Sequence, residues 1–121
     1  MRSSSLPRAF GYAVRGLWRA VRNEANLRIE LALGVLALVL AFWLGAPLVP
    51  VVLAAGLVLT AELFNSAVET VVDLASPERH ELAEAAKDMA AGGVLLASLC
   101  AFLVGLALLG PPLLVRLGVL R

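Results

Sequence analysis

No Asp, Glu, Lys or Arg occurs in residues 31 to 61, and none occurs in residues 89 to 115. An uncharged, apolar run longer than about 18 residues marks a helix that crosses a membrane. Two such runs in 121 residues leave little chain for any other kind of domain. Composition agrees: 61% of residues are hydrophobic and mean hydropathy is +0.93, against roughly 45 to 50% apolar in soluble domains. Ten basic and nine acidic residues nearly cancel, so the chain lacks the basic excess of a nucleic-acid-binding face and no such partner is expected. The lone Cys100 excludes an internal disulfide framework and a cysteine-rich zinc site.

Charge is informative through its placement. Arg2, Arg8, Arg15, Arg19, Arg22 and Arg28 stand against only Glu24 and Glu30 in the first thirty residues. From Arg8 to Arg22 the basic positions share one helical face and Phe10, Val14, Leu17, Trp18 and Val21 share another. This predicts an amphipathic surface helix over about residues 6–25. A cleaved signal peptide fits poorly, because the following apolar stretch is too long and lacks a clear cleavage site.

The run 31–61 is broken by Gly45, Pro47 and Pro50, a turn at a membrane edge. It therefore reads as two spans, about 27–45 and 50–73. A third is expected from Pro77 to Leu109, capped by Ser76, with Gly110, Pro111 and Pro112 ending it and residues 110–121 forming a tail. The expected architecture is all-α: one membrane domain over residues 1–121, with a surface helix and three transmembrane helices. The arginine excess puts the amino terminus and the 74–86 loop on the cytoplasmic side of the inner membrane. Trp18 and Trp43 suit interfacial anchoring.

The second span carries Glu62, Asn65, Ser66, Glu69 and Asp73, and spacings of three, four and seven put four of them on one face. An ionised side chain near the bilayer centre costs about 2.5 to 3.5 kcal/mol, and each Leu or Val returns about 0.3 to 0.6. The apolar residues between Leu48 and Val68 offset roughly one such carboxylate, so Glu69 and Asp73 are expected at the cytoplasmic edge, with Glu62 deeper. Three helices are too few to shield such a stripe from lipid, so it should face other subunits or water.

Three readings follow from the residues. A stripe of Glu and Asn can simply specify helix association, as in a membrane scaffold. Glu62 alone would also suit a small proton- or cation-coupled transporter. The third reading uses more of the chain: carboxylates at a membrane edge can hold Mg²⁺ with substrate phosphates. Glu24, Lys87 and Asp88 are expected in the same layer, and the small residues from Ala90 to Gly93 allow close helix approach. No P-loop or dinucleotide fingerprint is present, so phosphates would be held by metal, Lys and Arg, which suffices for phosphoryl transfer.

The segment Ala61 to Asp73, with Glu62-Leu63-Phe64-Asn65-Ser66-Ala67-Val68-Glu69 at its core, resembles the small prokaryotic diacylglycerol kinases, a family that includes undecaprenol kinases. The likeness extends through His80-Glu81-Leu82, Ala86 to Ala91, Gly11-Tyr12-Ala13, Gly16-Leu17 and Glu24 to Glu30, covering about residues 8–108. It implies a homotrimer of surface helix plus three spans, with active sites between subunits, using ATP, Mg²⁺ and a lipid alcohol. By position, it makes Glu62 the general base, oriented with help from Asn65, and Glu24 and Glu69 the metal carboxylates. It places Tyr12, Glu24, Glu69, Glu78, Arg79, His80, Lys87 and Asp88 at ATP, and Glu62, Asn26, Glu30 and Ala91 at the lipid substrate. Glu30 stands where the undecaprenol branch often has His, and Arg79 where the family usually has Tyr. The implied reaction makes phosphatidic acid from diacylglycerol, with undecaprenyl phosphate from undecaprenol as the alternative.

Overall fold

The computed structural model describes residues 5–121, so Arg2 lies outside the described residues. Four α-helices and no strand are found among them: α1 (Leu6–Asn23), α2 (Ala25–Leu44), α3 (Leu48–Ala75) and α4 (Glu81–Arg116). The last three are each long and apolar enough to cross a membrane. This is a membrane protein with the expected order of surface helix and spans.

Local chemistry sets most boundaries. Pro7 sits in the first turn of α1, where a missing N–H costs nothing. Gly45 closes α2 at φ 71°, a left-handed conformation that glycine adopts without strain, and the Ala46 N–H reaches back to the Ala41 carbonyl at 2.9 Å. Pro50 falls in the first turn of α3, so the predicted turn is shorter than expected and the helix starts at Leu48.

Both ends of the third span differ from expectation. Ser76 is the C-cap of α3, not the N-cap of α4; its N–H bonds to the Val72 carbonyl at 2.8 Å and its hydroxyl to the Glu78 carbonyl at 3.1 Å. α4 starts four residues beyond Pro77, with His80 as its cap, its Nδ1 accepting the Leu82 N–H at 3.0 Å. Glu81 and Glu84 then complement the positive end of the helix. At the other end, Pro111 and Pro112 do not stop the helix, which continues to Arg116. Two prolines remove two backbone donors, a loss that membrane helices absorb more readily than soluble ones because neighbouring helices re-satisfy the freed groups. Residues 110–116 are thus helix and only the last five form the tail.

α2, α3 and α4 pack into a bundle whose core gathers Ala41, Val51 and Leu109. α2 and α3 approach closely at Gly34, where an added Cβ would lie 3.2 Å from the Ala55 Cβ. The bundle hides little of its own apolar surface: Phe42, Leu53, Phe64, Leu96 and Phe102 are all exposed. A water-soluble domain does not tolerate such a surface, whereas lipid or further protomers cover it. α1 buries no residue and leaves Leu6, Phe10 and Trp18 open, as a helix lying at a membrane surface does.

Antiparallel α3 and α4 and the intervening loop put the amino end of α2, the carboxyl end of α3 and the amino end of α4 at one side of the bundle. The predicted polar residues gather at that end. At the opposite end Arg116 stacks over the Trp43 ring, 4.5 Å from its centroid, and donates to the Trp43 carbonyl at 3.1 Å.

Candidate functional site

Glu62 is 8% exposed and is the one buried charged residue among the described ones. α3 delivers it about 10 Å, seven residues at 1.5 Å each, below Glu69. The charges close enough to act on it are the carboxylates of Glu30, Glu24 and Glu69. Glu62 thus feels acids from three places: Glu69 on its own helix, Glu24 at the joint of α1 and α2, and Glu30 in α2. Glu30 leads that set, though the sequence placed it only among lipid contacts. No described Lys or Arg forms an ion pair with any of the four.

Two neighbours on α3 face different ways. Asn65 lies in a pocket between α3 and α4 lined by Phe64, Val68, Met89, Ala90 and Gly93, and its buried Oδ1 has no hydrogen-bond partner among the described residues. A buried amide oxygen left unpaired costs about 1 to 3 kcal/mol. Ser66 and Thr70 instead line a groove between α3 and α1, where they meet Gly16, Arg19 and Glu24. The Thr70 hydroxyl donates to the Ser66 carbonyl at 2.8 Å, which turns it back onto its own helix.

The α3–α4 turn makes a third, polar recess. Glu78, Arg79, His80 and Lys87 line it together with Asp73 and Ser76, so four residues that resemblance assigned to nucleotide share one cavity. Arg79 Nε pairs with Glu84 Oε1, and Lys87 Nζ with Asp73 Oδ1, each at 2.5 Å. Asp73 had been expected as an end-of-helix carboxylate at the cytoplasmic edge; it is the fixed partner of Lys87. An ammonium has three donors, so the pair leaves Lys87 able to bond an incoming oxygen. His80 Nδ1 accepts a backbone N–H, which puts the proton of the neutral ring on Nε2. Tyr12 is on α1 with Arg15 stacked 5.7 Å from its ring centroid and does not line this recess. Asp88 and Ala91 are exposed on α4, and Asn26 is exposed at the start of α2.

Glu30 also heads an apolar cavity of about 320 Å³ that runs between the three spans past Gly34, Val58, Ser98 and Phe102. Its apolar lining at membrane depth is the setting a hydrocarbon chain requires.

The donor set suits a hard cation, because all the candidate ligands are carboxylate oxygens at one end of the bundle. No group of three or more His, Cys, Asp or Glu side chains among the described residues is close enough to hold a metal. One protomer thus offers no closed cage, and a Mg²⁺ here would draw its remaining ligands from phosphate, water or another protomer. Mg²⁺ is commonly bound that way, with one or two carboxylates beside substrate phosphates.

Comparison with known proteins adds the family. A family model described as prokaryotic diacylglycerol kinase matches residues 11–109. A Synechocystis protein named diacylglycerol kinase is 44% identical over 110 residues, which is 88% of this chain and 63% of the relative's own length. One of the same name from Escherichia coli strain K12 is 41% identical over 84% of this chain and 86% of its own. A Bacillus subtilis protein named undecaprenol kinase is 33% identical over 88% of this chain and 89% of its own.

Proposed function

Because the chain belongs to the prokaryotic diacylglycerol kinase family, we propose that it is a membrane lipid kinase that transfers the ATP γ-phosphoryl group to the hydroxyl of diacylglycerol, giving phosphatidic acid. The observation that carries this reading is Glu62: a buried carboxylate inside a membrane span, with three more carboxylates acting on it and no cation paired to it. Such a group is costly to insert and is functional by default.

Glu62 takes the proton from the lipid hydroxyl as that oxygen attacks the γ-phosphorus, and the bond to the β–γ bridging oxygen breaks. Asn65, one helical turn away, orients the reacting groups through its unpaired amide oxygen. Glu24 and Glu69 would hold a Mg²⁺ against the triphosphate; when bound, the ion neutralises the phosphate charge and screens the acids from one another. Lys87, steadied by Asp73, donates to phosphate, and Asp88 accepts from the ribose. Tyr12, Glu78, Arg79 and His80 form the remaining nucleotide contacts. On the lipid side Glu30, Asn26 and Ala91 line the approach, with the Glu30-headed cavity supporting an aliphatic chain at this depth.

The exposed apolar bundle surface, the unpaired Asn65 oxygen and the open metal set support assembly with further copies, and the family suggests a homotrimer. The arginine-rich amino-terminal segment supports an inner-membrane location with the site facing the cytoplasm. A second acceptor has a specific observation behind it, the relative named undecaprenol kinase. The deciding assay offers diacylglycerol and undecaprenol side by side with γ-labelled ATP and separates the products. A labelled phosphatidic acid band is expected; label only in undecaprenyl phosphate would assign the other acceptor, and label in neither lipid would refute the kinase reading.

A further inference from the structure

α1 and α2 are separated by a single non-helical residue, and that residue is Glu24, at φ −110° and ψ 107°. α1 itself buries nothing, so packing alone does not hold its direction. The last carbonyls of a helix have no partner within it and form the negative end of its dipole. Here they have one from beyond the bend: Arg28 Nη1 donates to the carbonyls of Val21 and Arg22, each at 2.9 Å. The backbone completes the bracket, with the Glu24 N–H on the Ala20 carbonyl at 2.8 Å and the Arg28 N–H on the Glu24 carbonyl at 3.3 Å. Arg28, from within α2, therefore holds the end of α1 across Glu24, and its charge sits where the α1 dipole favours a cation.

We propose that Arg28 is a positioning residue that locks the α1–α2 elbow and so aims the Glu24 carboxylate at the phosphate-bearing site. This rests on the kinase reading above. The Arg28 guanidinium bonds to the α1 carbonyls, and Arg28 does not line the recess at the α3–α4 turn, so it acts through the elbow and not on the reacting atoms. Both bonds leave one nitrogen, so lysine keeps the charge and can remake part of the contact from a shorter side chain, whereas glutamine loses the charge, which gives a graded pair of substitutions.

The test measures backbone amide deuterium exchange and steady-state kinetics on the full-length protein in bicelles, comparing the wild type with Arg28→Lys and Arg28→Gln. In Arg28→Gln, residues 18–24 should exchange about tenfold faster, the scale of one lost charge-assisted hydrogen bond, while residues 89–109 keep the wild-type rate. KM for Mg·ATP should rise by a similar factor with a smaller change in kcat, and Arg28→Lys should recover part of both. Unchanged exchange at 18–24 in Arg28→Gln would overturn the lock whatever the activity does, and faster exchange with an unchanged KM would overturn the aiming of Glu24. A wild-type protein without phosphotransfer would instead sink the kinase reading, while the exchange measurement would still decide the lock.

Discussion

Lys87 Nζ lies 2.5 Å from Asp73 Oδ1, joining the last turns of α3 to the second turn of α4 across the loop that His80 closes. Both side chains keep substantial exposure, 38% and 66%, so solvent screens the pair and it adds little to stability. The pair's importance is positional: it fixes where a mobile ammonium waits. Asp73→Asn should therefore leave the melting temperature within a few degrees and raise KM for ATP several-fold. Lys87→Met should reduce kcat/KM by about tenfold to a hundredfold, the cost of removing a charged donor from phosphate. Steady-state kinetics on the two variants, with thermal melts alongside, would check both halves.

Divalent metal should be required. Chelation with excess EDTA is expected to abolish transfer and added Mg²⁺ to restore it. Glu24→Gln and Glu69→Gln should each shift the Mg²⁺ concentration for half-maximal rate upward by about tenfold or more, since each removes a charged ligand from a set that one protomer leaves open. A Mg²⁺ titration of the three proteins reads this out directly.

The far end of the bundle makes a different prediction. Arg116 holds the Trp43 carbonyl and ring, securing α4 to the end of α2, and lies beyond the family match, which ends at residue 109. Arg116→Gln should lower stability by about 2 to 4 kcal/mol, the sum expected of a charge-assisted hydrogen bond and a cation–π contact at an exposed edge. Phosphotransfer at a permissive temperature should be unaffected. Thermal unfolding in detergent, followed by activity before and after heating, separates the two effects.

Large features of this fold were legible because the membrane imposes simple rules. The charge-free runs gave the spans, Gly45 and Pro47 gave the turn, and the arginine face of α1 gave the surface helix. The acid stripe was legible from spacing, and the order of the helices put Glu24 at the same end of the bundle. Boundaries failed where two signals competed: Ser76-Pro77 is a good start signal, but the serine is taken up as the C-cap of α3 and the helix begins after His80, with Glu81 and Glu84 in its first turn. Pro111 and Pro112 end helices in water, but α4 runs through both. Tertiary partners were harder to see. The bonds of Arg28 across the elbow and of Lys87 to Asp73 depend on how helices turn back on each other, which spacing along one helix does not encode. The expected single layer of acids and cations also resolves into distinct places: four carboxylates acting together around Glu62, and the cations Arg79 and Lys87 each paired with its own acid at the loop.

The central claim is that Glu62 is the base of a phosphotransfer reaction, and the most direct test is transfer of γ-labelled phosphate from ATP to diacylglycerol by Glu62→Gln beside the wild type. Glutamine matches the carboxylate in size, so the bundle should assemble with an unchanged exchange pattern. Turnover should fall by about a hundredfold to ten-thousandfold, the range for loss of a general base, with KM for Mg·ATP little changed. A folded Glu62→Gln protein that phosphorylates lipid at the wild-type rate would contradict the account.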